Sequence, residues 1–96
     1  MQQKPKDQSF YDRFHQQLLE SSSWPGVYVF KFIITSSERN KATLLELFEN
    51  DKVTVNVRSS SNGKYTSISI AGKFGNPEII IKKHKQAAKI PNIIQL

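Results

Sequence analysis

KVTVNVRSSSNGKYTSISI, residues 52–70, reads as two strands joined by a turn, and the fold follows from that reading. In residues 52–58 the side chains alternate, Val53, Val55 and Val57 pointing one way and Thr54, Asn56 and Arg58 the other. Residues 65–70 repeat the pattern, with Ile68 and Ile70 inward and Tyr65, Ser67 and Ser69 outward. Between them Asn62 and Gly63 supply the positive φ angles a tight turn needs, so the stretch predicts a hairpin with one polar face. The serines, glycines and Lys64 crowded around Tyr65 also look like an anion-holding loop. A phosphate loop, however, needs glycines that open a helix after a strand, and here a second strand follows. The serines are therefore expected to serve the backbone of the turn.

Upstream of the hairpin, residues 27–35 (VYVFKFIIT) are apolar on both alternating sets except at Lys31, as a central strand would be. Ser36 or Ser37 is placed to cap a helix whose Leu44, Leu45 and Phe48 share a face and which Asn50 and Asp51 end. Before that strand, residues 1–8 read as a disordered segment. A leading helix over residues 9–20 follows, with Ser9 and Asp12 at capping-box spacing and Phe10, Phe14 and Leu18 on one side; SSSWPG, residues 21–26, stops it. Downstream, Asn76, Pro77 and Glu78 make a strong helix start: a cap, a proline at the first position and an acid at the positive end of the dipole. That helix is expected to run to about Lys89, with Ile80, Ile81, His84, Ala87 and Ala88 on one side and Lys82, Lys85, Gln86 and Lys89 on the other. Residues 92–96 (NIIQL) read as a short last strand.

The order after the leading helix is strand, helix, strand, strand, helix, strand. It predicts an α+β domain over residues 9–96: a ferredoxin-like βαββαβ unit, its four-stranded antiparallel sheet carrying two helices on one face, plus the extra N-terminal helix. The segments WPGVYVFKFI, LLELF, VRSSSNGKYTSISI and IIQL resemble the YbeD-like small bacterial proteins, a family of unknown function, over roughly residues 24–96. The most specific part is the Ser-Ser-x-Gly-x-Tyr-x-Ser run from Ser60 to Ser67; the long leading helix is a departure from shorter members. The resemblance implies the ferredoxin-like fold and, through the similar ACT regulatory domains, a ligand- or protein-binding role without catalytic residues.

Composition narrows the function classes. The 96 residues suit one domain, and with no cysteine neither a disulfide framework nor a thiolate metal site holds it. The polar opening MQQKPKDQS and the lack of any apolar run near ~20 residues predict neither a signal peptide nor a membrane anchor, hence a cytoplasmic protein. Charge is uneven: residues 1–51 carry six basic and seven acidic groups, residues 52–96 eight basic groups and the single Glu78. Such a basic half suits an acidic partner, nucleic acid or a solvated helix face alike.

No catalytic, metal-ligating or cofactor-binding residue emerges, and no cofactor is expected. His84 sits mid-face among apolar residues, where a histidine is more often packed with one satisfied nitrogen than a base; His15, at the edge of its helix's stripe, is expected to be partly exposed. RNA-recognition domains share this element order but stack bases on several aromatics, and here Tyr65 stands alone beside Ser67 and Ser69. Binding by charge alone would be weak and salt-sensitive. The expected function is thus a non-catalytic regulatory or protein-interaction module, with a charge-driven RNA-binding domain as the alternative. Its candidate interaction surface comprises Lys31, Arg58, Ser60, Ser61, Lys64, Tyr65 and Ser67. Outward-facing Val27, Val29 and Ile33 and the Phe10–Phe14–Leu18 stripe call for a cover: the protein's own helix, a second copy of the chain or another partner.

Overall fold

The structure, a computed structural model, describes residues 7–96. Of the segment expected to be disordered, residues 1–6 lie outside the described residues. In chain order the elements are α1 (Gln8–Ser21), β1 (Gly26–Thr35), α2 (Glu38–Glu46), β2 (Val53–Ser59), β3 (Tyr65–Phe74), α3 (Pro77–Ala87) and β4 (Ile94–Gln95). The strands form one four-stranded sheet in the order β2-β3-β1-β4, every neighbouring pair antiparallel. This mixed α+β architecture with three helices is consistent with a ferredoxin-like fold.

The caps follow from side-chain chemistry, with one change from expectation. Ser37 caps α2 by accepting from Asn40 N at 3.2 Å, and Asn76 caps α3 by accepting from Ile79 N at 3.0 Å. At α1 the cap is Asp7, not Ser9, because the Asp7 carboxylate reaches Phe10 N at 2.9 Å and starts the helix earlier. Ser9 instead accepts from Arg13 one turn on, at 3.1 Å. Residues 7 and 8 thus belong to the helix start rather than to a disordered segment.

Inward side chains of β1 and β3, among them Phe30, Phe32, Ile34, Ile68 and Ile70, are fully buried in one core cluster with Leu44, Phe48 and Ile80. Phe30 packs edge-on against Phe48 at 5.0 Å and against Phe74 at 5.5 Å between ring centroids, so the turn that follows α2 and the end of β3 meet around one ring. The third strand runs four residues beyond the expected Ile70. Gly72 permits this: a Cβ there would come within 2.9 Å of Lys52 O and of the Val53 side chain.

Helix α1 lies on α3, within its own chain. Tyr11 and Leu18 are its buried residues, with Phe10 and Phe14 half-buried against the core, so the apolar face is centred one residue further along than Phe10 suggests. Phe14 meets the His84 ring edge-on at 4.9 Å, and Lys85 Nζ lies 4.9 Å above the Tyr11 ring. Burial raises the Tyr11 hydroxyl pKa above its usual value. The other end of α1 is tied by Trp24, whose indole donates to Leu18 O at 3.0 Å.

The valine face of the hairpin forms as the alternation predicts, but much of it is exposed. Val53, Val55 and Val57 do share a face with Ile68 and Ile70, as the register Val55↔Ile70 and Val57↔Ile68 requires. Val55 and Val57 are nevertheless 37% and 44% exposed. The reason is position: β2 is the outermost strand, and the nine-residue α2 packs against the inner strand β1. On α3, the exposed Ala88 falls outside the helix and off its buried side.

Candidate functional site

All three helices lie on one side of the sheet, which leaves the opposite face open. Its residues follow from the register: Arg58, Ser67, Ile33 and Ile94 form one row, Asn56, Ser69 and Lys31 the next, then Thr54, Ala71 and Val29, and last Lys73 beside Val27. Tyr65 stands opposite Thr35 at the hairpin end. Val27 is 70% exposed, and Val29, Tyr65 and Leu96 are exposed as well. None of the four strands contains an aspartate or glutamate, so the charges on this face, Lys31, Arg58 and Lys73, are all positive.

Of the residues the sequence nominates, Lys31, Arg58, Tyr65 and Ser67 come together on this face, whereas Ser60, Ser61 and Lys64 lie in the turn at its end. Ser60 is occupied there. Its hydroxyl donates to Asn62 Oδ1 at 2.9 Å and accepts from Tyr65 N at 3.0 Å, while Asn62 Oδ1 also accepts from Lys64 N at 3.0 Å. Within this turn Gly63 alone takes a positive φ, 72°; Asn62 contributes through its side chain instead of the left-handed backbone expected of it. The loop thus satisfies itself. Sequence reading missed Lys73 and Ile94, and left Thr54 and Asn56 out of the candidate surface although it set them on the polar side with Arg58. The signal for Lys73 was present, since alternation continues through Ala71, Gly72, Lys73 and Phe74.

Several titratable groups elsewhere are held in structural contacts. His84 is buried, its Nδ1 against Gln95 Oε1 and its Nε2 3.3 Å from the Tyr28 hydroxyl. Gln95 Nε2 donates to His84 O at 3.1 Å, which fixes the amide orientation; Oε1 must then accept, so the ring proton sits on Nδ1 and Tyr28 donates to Nε2. Burial raises the Tyr28 pKa, keeping that hydroxyl a donor. His84 therefore uses both ring nitrogens, one more than expected, and in doing so ties β4 and β1 to α3. His15 pairs with Glu78 at 2.9 Å, joining α1 to the start of α3. That hydrogen bond first, and the backbone amide of Glu78 second, hold the exposed Glu78 carboxyl below its usual pKa. Lys83 pairs with Asp51 at 2.7 Å and also donates to Leu47 O. Among the described residues no cluster of His, Cys, Asp and Glu could hold a metal ion, and no helix is long and apolar enough to cross a membrane.

No protein-family model matches this chain, and no curated protein matches it. Among solved structures, the uncharacterised protein TM1266 of Thermotoga maritima is similar, with a TM-score of 0.62 over 73% of this chain and 90% of that one at 14% identity. At that identity the likeness shows the fold alone.

Proposed function

We propose that the chain is a ferredoxin-like, non-catalytic interaction module of the YbeD-like kind, whose open sheet face docks an acidic, partly apolar segment of a protein partner in the cytoplasm. The observation that carries this reading is the composition of the face: Val27, Val29, Ile33 and Ile94 interleaved with Lys31, Arg58 and Lys73, with no acid among the strands. An apolar patch rimmed by like charges favours a partner that buries carbon and supplies carboxylates. A second copy laid face to face on it would oppose cation to cation. Single-stranded RNA is disfavoured because Tyr65 is the one aromatic on the face, and stacking is what holds bases at ~1–3 kcal/mol each. The strand order β2-β3-β1-β4 supports the ferredoxin-like assignment, and the cysteine-free composition suits a reducing compartment. His84 is engaged in buried packing contacts and His15 in an ion pair with Glu78, which speaks for a binding rather than a chemical role.

Backbone amide shifts under titration test this directly. An amphipathic peptide of glutamates and leucines should shift Val27, Val29, Lys31, Ile33 and Lys73, and Lys31→Glu combined with Lys73→Glu should abolish the effect. An oligouridylate should give no saturable shift at physiological salt. Shifts confined to the helices, or oligouridylate binding lost on Tyr65→Ala, would reverse the assignment.

A further inference from the structure

Among the described residues the edge of β2 is the second feature without a partner, and it involves backbone rather than side chains. Ser60 N donates to Tyr65 O at 2.8 Å, which sets the phase of the β2–β3 ladder. Antiparallel ladders alternate, so Arg58, Asn56 and Thr54 exchange hydrogen bonds with β3, while Val53, Val55, Val57 and Ser59 direct their N–H and C=O groups outward. The bonds Ser36 N to Lys64 O and Leu96 N to Lys31 O place β1 and its neighbours in the same phase.

Natural edge strands are usually blunted by shortness, charged side chains, proline or a bulge. The opposite edge is blunted in this way, since β4 pairs over two residues only. Strand β2 lacks most of these devices: it is seven residues long, contains no proline, keeps unbroken register from Val53 to Ser59, and its one charge, Arg58, stands on the open face and not among the valines. On its helix side it shows Val55 and Val57, both exposed, where a charge would protect it.

We infer that a second copy of this chain pairs on this edge, β2 antiparallel to β2 about a two-fold axis through Asn56. Such a register sets Val55 against Val57 of the second copy and Val53 against Ser59, each a hydrogen-bonded pair using only the outward groups. On the open face Asn56 meets Asn56 and Arg58 meets Thr54, so no like charges stand opposite. The valines left uncovered by α2 cover one another, and this self-complementarity is what favours a second copy over an unrelated strand. The pairing is independent of the docking proposed for the open face.

Sedimentation of the full chain over a range of concentrations, with amide hydrogen exchange, tests the inference. The wild type should move from 11.0 kDa toward twice that mass as concentration rises. Exchange at Val55 and Val57 should slow in step, while Thr54, Asn56 and Arg58, bonded to β3 in either state, should not change. Val57→Lys should weaken association by about ten-fold or more. Val57→Pro should do the same without unfolding the monomer, because the N–H it removes points outward. A wild type that stays at 11.0 kDa throughout, or a dimer indifferent to Val57→Lys and with no concentration-dependent protection at Val55 and Val57, would overturn it.

Discussion

Leu18 and Leu19 are adjacent leucines in α1, yet one is 5% and the other 47% exposed, and this pair makes a sensitive test of whether α1 belongs to the core. Leu18→Ala removes three buried carbons, ~2 to 2.5 kcal/mol of transfer free energy at ~0.8 kcal/mol per CH₂. The space left behind raises the expected loss to ~3 to 5 kcal/mol. That is a large part of the ~5 to 15 kcal/mol that holds a small domain together. For a chain of this length each kcal/mol moves the melting temperature by ~4 to 8 °C, so a fall of ~12 °C or more is expected. Leu19→Ala should change stability by no more than ~0.5 kcal/mol. Urea unfolding followed by Trp24 fluorescence and by far-ultraviolet circular dichroism reads both, because Trp24 is the only tryptophan and its indole donates to Leu18 O. In Leu18→Ala the two signals should move to lower urea together with an unchanged slope. A loss below ~1 kcal/mol for Leu18→Ala, or fluorescence that melts before the dichroism, would refute the packing argument, since α1 would then be opening on its own.

Asn62→Ala should cost about 1 kcal/mol, measured by urea unfolding, because it strips the acceptor shared by Lys64 N and the Ser60 hydroxyl; inorganic phosphate should shift no amide from Ser60 to Tyr65 saturably. Acid should act on Glu78 in a defined sense. Its carboxyl titrates below 4.5 in the fold, so its contribution is complete above the unfolded value and disappears as pH falls through the lowered one. The stability difference between wild type and Glu78→Gln should therefore shrink below about pH 4.5, and a difference constant from roughly pH 3 to 7 would remove His15–Glu78 as its cause.

What was legible in the sequence is what local chemistry decides. Alternation over residues 52–58 and 65–70 gave the right strands and faces, and Asn76-Pro77-Glu78 placed the start of α3. What alternation and capping could not settle shares a cause, which is dependence on distant parts of the chain. Val55 and Val57 have the alternation of a buried face, but their exposure depends on how far α2 reaches over the sheet. Asp7 and Ser9 are both good caps, and only the realised helix start separates them. His84 looked like one more apolar-face residue, because its partners, Tyr28 and Gln95, lie 56 and 11 positions away. The open face was half legible: Lys31, Arg58, Tyr65 and Ser67 could be assigned from alternation alone, but Lys73 needed the full length of β3 and Ile94 needed the β1–β4 register.

The open face and the open edge meet on β2, and salt can separate them. In the two-fold pairing through Asn56 the two Arg58 residues sit four positions apart along antiparallel strands, ~14 Å between backbones at ~3.4 Å per residue and ~4.8 Å between strands. That exceeds the ~8 Å screening length at physiological ionic strength, so repulsion between the copies is weak there and grows only when salt is lowered. Docking of an acidic segment on Lys31, Arg58 and Lys73 has the opposite dependence, because its charges are attractive and screening weakens them. Raising salt should therefore leave self-association unchanged or tighten it while loosening the acidic peptide. If both weakened together, the edge would be held by charge rather than by backbone pairing and valine burial, and the two-fold register would be the part of the reasoning to abandon.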